Sequence, residues 1–167
     1  MDDAHPTDIK AFDERLAKVH LRGQWTVETN QQQSGDGPAP RGVPFVWNYD
    51  DVLGYLHEAC REFPEALHAR RNLTFDNPAL DRYTTHTLAA GIQLIQPGEL
   101  AWPHRHTATA LRFVTDGDPN LVTVVDGIEY PMENYDLILT PNWSWHGHQN
   151  RAEKDVAWLD LLDVALI

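Results

Sequence analysis

Histidines repeat at a spacing of two in two places: His104 and His106 in AWPHRHTATALRF, and His146 and His148 in TPNWSWHGHQN. On a β-strand, residues two apart point to one face, so each pair can offer two imidazoles to a single ion. One pair alone is weak, because surface strands carry such spacings by chance. Two pairs on successive hairpins are stronger and would let four imidazoles converge. Cys60 is the single cysteine in 167 residues. That excludes an intramolecular disulfide framework and a thiolate cluster, so His, Asp or Glu would have to hold a metal. Imidazoles without thiolates suit Zn, Fe, Cu or Ni; HExxH and CxxC are both missing, and spacing does not name the ion.

Other polar residues stand where strands should be apolar. Continuing the parity of the first pair puts Ala108, Ala110 and Arg112 on the face of His104 and His106. A cation beside a metal points to an anionic ligand. Gln93 interrupts LAAGIQLI and Asp160 interrupts AWLDLL. Buried polar side chains need partners, so Gln93 is expected to bond a ligand or a metal-binding residue. Asp160 is expected either to fix the tautomer of a histidine or to orient Arg112, with a purely structural ion pair as the alternative. Trp143 and Trp145, just before His146, are expected to pack at the mouth of the core.

These residues need elements to position them. From Asp8 to about Glu28, Ile9, Phe12, Leu16 and Val19 recur at helical spacing, with Gly23 as the stop. TNQQQSGDGPAPRG follows as an exposed connection. Asp50 caps a second expected helix in which Val52, Leu53, Leu56, Ala59 and Cys60 share one face, ending before Pro64. After Arg71, which reads as solvated, the period becomes that of strands. THTLAAGIQLIQ, TALRFVTDG, LVTVVDGIEYPM, YDLILTP and DVAWLDLLDVALI alternate with PGE, DGDPN, DGIE and ENYD turns. An antiparallel β-sandwich or barrel is expected.

Composition narrows the class. Twenty-five Asp and Glu against 13 Lys and Arg give a formal charge of −12, which disfavours a broad grip on nucleic acid or anionic lipid. No apolar run approaches the roughly 18 to 20 residues of a membrane helix, and MDDAHPTDIKAF is acidic where a leader peptide would be basic. A soluble, cytoplasmic protein is expected.

Gly98-x5-His104-x-His106 followed by Pro141-x4-His146-x3-Asn150 resembles the two motifs of the cupin superfamily. The resemblance implies an all-β fold: a cupin jelly-roll β-barrel, here with an N-terminal helical arm, holding a metal in its mouth. Cupins usually add a glutamate ligand after the second histidine, where this chain has Ala110 and Leu111. Lacking it, and carrying HRHTATALRFV, GIQLIQPGE, LTPNWSWHGHQN and WLDLLD, the chain from about Pro44 onward resembles the N-terminal cupin domain of gentisate 1,2-dioxygenases and their relatives acting on salicylate and 1-hydroxy-2-naphthoate. HLRGQWTVE adds a shorter likeness. The expected division is an arm over 1–43, a helical lead-in over 44–72 and the barrel over 73–167.

That family implies Fe(II) held by His104, His106 and His146, and ring cleavage by O2, as of gentisate to maleylpyruvate. His148 would then lie beside substrate and O2, and Arg112 would pair with the substrate carboxylate. Gln93 and Arg70 would also touch substrate, Arg70 at the entrance, with Asp160 supporting catalysis. Partners would be a small aromatic carboxylate, O2 and further copies of the chain in a homo-oligomer. Ala89 stands where some salicylate-cleaving relatives carry a tryptophan, which favours gentisate or hydroxynaphthoate. The alternatives are a non-catalytic cupin that binds an aromatic acid, or one half of a two-cupin protein that is inactive alone. A zinc or manganese isomerase is weaker, because such enzymes usually keep the missing carboxylate.

Overall fold

The structure is a computed structural model that describes residues 9–21, 42–66 and 71–164. It divides into two units, Met1–Pro40 and Arg41–Ile167.

In the first unit, helix α1 spans Ile9–Lys18. His20, at φ 57°, ends it, with Leu21 N–H donating to Leu16 O and His20 N–H to Ala17 O. This double bond pattern satisfies the last carbonyls through a left-handed residue. The helix therefore stops before Gly23, which lies outside the described residues, and Val19 and Phe12 stay exposed.

In the second unit, helix α2 spans Tyr49–Glu62 and buries Val52, Leu56 and Cys60. Its cap is Asn48 and not the expected Asp50: the Asn48 side chain accepts from the N–H groups of Asp50 and Asp51 at 3.0 and 3.2 Å. Asp50 and Asp51 occupy the first turn, where negative charge is favoured by the helix dipole.

Among the described residues nine antiparallel strands follow: β1 (Asn72–Thr74), β2 (Ala89–Ile95), β3 (Leu100–His104), β4 (Ala110–Asp116), β5 (Asp118–Val125), β6 (Ile128–Met132), β7 (Leu137–Thr140), β8 (His146–Asn150) and β9 (Val156–Leu162). They form a five-stranded sheet in the order β1-β2-β9-β4-β7 and a four-stranded sheet in the order β3-β8-β5-β6. Asp126 and Gly127, both at positive φ, close the β5–β6 hairpin, as a two-residue turn that follows strand twist requires. The expected strands form; β1, β3 and β8 are added to them.

Alternation sorts each strand of the five-stranded sheet into two faces. Ile92 and Leu94 face outward with Ala157, and α2 covers them through Val52, Leu56 and Cys60. Ile95, Val114, Val156 and Trp158 face inward and meet Ala101, Leu121 and Met132 in the core between the sheets. Two positions along the same inward faces stand Gln93, Arg112 and Asp160, all buried. One end of the interior is therefore apolar and the other polar.

Arg71 departs from expectation. It is 1% exposed, paired to Glu99 and donating to Gln96 Oε1 at 3.2 Å. A guanidinium removed from water needs such partners, and here they tie the start of β1 to the β2–β3 turn.

Candidate metal centre and ligand cavity

His104 ends β3 and His146 opens β8, and the two are paired across the four-stranded sheet. The register slips by one between Ala101 and His104, so a bulge brings His104 opposite His146. Bulges re-aim side chains in this way. Gly147 permits it: a Cβ there would lie 2.9 Å from Ala101 O and 3.1 Å from Pro103 N. His106 lies beyond the strand end, in the loop that leads to β4.

These three histidines each offer a ring nitrogen, all within 4.8 Å of one another. Each Nδ1 sits against a backbone carbonyl two residues away: His104 on Trp102 O at 3.0 Å, His106 on Ala108 O at 2.8 Å and His146 on Ser144 O at 3.0 Å. A carbonyl only accepts, so each Nδ1 carries the proton and each Nε2 presents a lone pair. His146 Nε2 is buried with no hydrogen-bond partner. Burial, ahead of the Arg112, His104 and His106 charges, pushes the His146 pKa down to about 4, against the opposing pull of Ser144 O. The ring is thus neutral at pH 7, as a metal ligand must be. The unpartnered Nε2 of a neutral His146, with ring nitrogens of His104 and His106 within 4.8 Å, fits a divalent transition metal.

Three imidazoles converge and the fourth stands apart. His148, two residues on along β8, is buried with its ring centroid 6.3 Å from that of His146 and 4.7 Å from that of Trp158. Burial first, then nearby Arg112, holds its pKa well below the usual value. Its Nδ1 has no partner, and the residue lines a cavity of about 330 Å³ together with His104 and His106.

The opposite wall of the cavity belongs to the five-stranded sheet. Arg112 Nε lies 3.1 Å from Asp160 Oδ1, its Nη1 donates to Thr140 Oγ1, and Asn72 Nδ2 donates to Asp160 Oδ2 at 3.2 Å. Burial lowers the Arg112 pKa and raises that of Asp160, and each is opposed by the other's charge. Gln93 also lines the cavity, its buried Nε2 without a partner. Asp160 lies against Arg112, and the Nδ1 atoms of the three converging histidines sit on backbone carbonyls, not on Asp160.

Arg112 reaches the cavity by a route other than strand parity. Residues 105–109 form a loop, so His104 and Arg112 lie on different strands and different sheets. Trp143 and Trp145 are not core residues: they are 54% and 50% exposed. Arg70 lies outside the described residues. Asn72, Thr140 and Trp158 were not singled out by the sequence; only their contacts across strands reveal them.

A family model for the cupin domain matches residues 91–162. The chain is 48% identical over 167 residues to a 1-hydroxy-2-naphthoate 1,2-dioxygenase of Nocardioides sp. (strain KP7), covering 98% of this chain and 43% of that protein. It is 38% identical to a gentisate 1,2-dioxygenase of Haloferax sp., covering 92% and 43%. Among solved structures, salicylate 1,2-dioxygenase from Pseudoaminobacter salicylatoxidans, in adducts with gentisate, superposes with a TM-score of 0.74 at 31% identity, over 99% of this chain and 45% of that one. The chain thus spans less than half the length of these relatives.

Proposed function

The chain belongs to the gentisate 1,2-dioxygenase family of cupins, and we propose on that premise that it supplies the Fe(II)-binding cupin of a ring-cleaving dioxygenase for a hydroxylated aromatic carboxylate. The observation that carries this reading is the cavity itself, with metal-type lone pairs on one wall and a buried guanidinium on the other. Its volume lies within the range of small-molecule sites.

His104, His106 and His146 would hold the metal. When bound, Fe(II) on three neutral protein ligands supplies open coordination positions and the electrons that make O2 reactive toward an aromatic ring. The chain's own residues do the rest. Arg112, ion-paired with Asp160 and donating from Nη1 to Thr140, lines the cavity and would meet the substrate carboxylate, a contact suited to a planar cation. Gln93 offers its unpartnered amide N–H to a substrate oxygen. His148, neutral at the cavity wall, hydrogen-bonds the bound ligand and holds a proton beside it. Arg70 is assigned to the entrance, where it would meet the same anion.

The same reading gives the substrate an ortho-hydroxyl beside its carboxylate. Ala89 pairs with Leu162, which lines the cavity, and a small residue there leaves room for a 5-hydroxyl or a second ring. Gentisate and 1-hydroxy-2-naphthoate are therefore preferred over salicylate. A homo-oligomer in the cytoplasm completes the proposal.

The test is anaerobic loading with Fe(II), then O2 with gentisate, hydroxynaphthoate or salicylate, following O2 uptake and the near-ultraviolet rise of the ring-opened product. Iron-dependent uptake with the first two supports the reading. Tight binding of the acids without turnover would favour a binding module or a half that needs its complement, and no iron-dependent effect with any acid would sink the proposal.

A further inference from the structure

Two loops carry the metal-type histidines into place, and neither has a strand ladder to hold it. One, residues 105–109, contains His106; the other, residues 141–145, delivers the chain into His146. We propose that Arg105, which neither the triad nor the cavity uses, is a positioning residue that clamps these loops together by stacking against Trp143 and Trp145.

The Arg105 guanidinium carbon lies 4.5 Å from the Trp143 ring centroid and 5.0 Å from that of Trp145. A guanidinium over an indole face is attracted by the ring quadrupole, and tryptophan is the strongest partner for it. Both indoles are about half exposed, so their role is not core packing. Trp143 adopts φ 63°, a left-handed conformation that a bulky residue keeps only when its surroundings hold it there. Its N–H donates to His106 O at 2.8 Å, a backbone bond that joins the two loops. Trp145 is anchored in turn by the β5–β6 hairpin: its N–H donates to Asp126 Oδ1 at 2.9 Å, and Asp126 N–H donates to Trp145 O at 2.8 Å.

The chain of support is continuous. The hairpin holds Trp145, Trp145 and Trp143 hold Arg105, and Arg105 sits between His104 and His106. The stack also answers an electrostatic difficulty. A guanidinium one residue from two ligands would repel a bound cation, and the indole faces keep this charge outside the cavity, whose lining does not include it.

The inference rests on the metal reading of the triad but not on the dioxygenase reaction, so it is tested on Co(II) binding by this chain. Chelator competition measures affinity, and the visible Co(II) spectrum reports ligand geometry. R105L is expected to weaken Co(II) roughly tenfold, the low end of the cost of losing a residue that supports metal ligands, and to alter the spectrum. W143L/W145L should match it, and the triple variant should be no weaker than the double. R105K, which keeps the charge without the planar stack, should fall between wild type and R105L. Circular dichroism checks that each variant folds, and if R105L does not, R105K carries the comparison.

Affinity within twofold of wild type and an unchanged spectrum in R105L would overturn the clamp, as would multiplicative losses in the triple variant or a lowered melting temperature with no change in Co(II) binding. A wild-type chain that binds no Co(II) would overturn the metal reading and the clamp together.

Discussion

The two sheets that face the cavity support their functional side chains in different ways. On the four-stranded side, each metal-type imidazole is fixed by a carbonyl two residues away in sequence: Trp102, Ala108 and Ser144. On the five-stranded side, Arg112 is held by side chains from other strands, Asp160 on β9 and Thr140 on β7, with Asn72 on β1 behind Asp160. The first wall is assembled from local segments, while the second exists only once the five strands of its sheet have paired. One wall presents converging ring nitrogens, the other a compensated charge. Each should therefore fail independently, and in a different observable.

The largest effect is expected where a charge loses its partner. D160N leaves the Arg112 guanidinium buried without its counterion, a change that costs on the order of 3–5 kcal/mol. The melting temperature should fall markedly and the Michaelis constant for the aromatic acid should rise, while metal affinity stays within about twofold. H146A is the mirror experiment: metal binding is lost while the metal-free chain still melts cooperatively. If D160N also abolishes metal binding, the two walls form one unit and do not fail independently.

Acid should act on the first wall through His146. The His146 pKa is lowered to about 4, so between about pH 6.5 and 4 the unfolded chain binds a proton that the folded chain refuses. Stability from this residue is complete above the unfolded value and lost as pH falls, by up to about 3 kcal/mol for the metal-free chain. H146A removes this proton-linked loss, so the metal-free variant should lose less melting temperature than the metal-free wild type between about pH 6.5 and 4. An equal fall in the two would contradict the assignment.

The same contrast explains what could be read from the residues alone. The pairs His104/His106 and His146/His148 were legible from their spacing, and the resemblance to the cupin motifs singled out the three that converge. Gln93 and Asp160 were legible because a polar residue at an inward position breaks strand alternation. Asn72 and Thr140 were not, since their relevance lies in contacts with residues 88 and 28 positions away. The bulge at His104 also left no mark in the histidine spacing. Only Gly147, opposite the bulge, hints at it, and a glycine between two histidines has no single reading. The helix cap moved from Asp50 to Asn48 for a similar reason: both types cap well, and the backbone decides between them.

The smallest effect tests whether the second wall is tuned as well as built. Thr140 Oγ1 accepts from Arg112 Nη1, and Thr140 is fully buried at the end of β7. Valine has nearly the same shape and removes only the acceptor. T140V should cost about 1 kcal/mol, the net worth of a typical hydrogen bond, or slightly more because the donor is charged. The guanidinium would then have Asp160 alone to orient it, so the fork presented to a carboxylate would be less fixed. The expected result is a rise of a few fold in the Michaelis constant for the aromatic acid, with metal affinity unchanged and only a small fall in melting temperature. Serine at the same position restores the acceptor and should return the Michaelis constant toward that of the wild type, although it loses a methyl group from the core. If T140S behaves like T140V, packing is what Thr140 supplies, and Asp160 orients Arg112 without it.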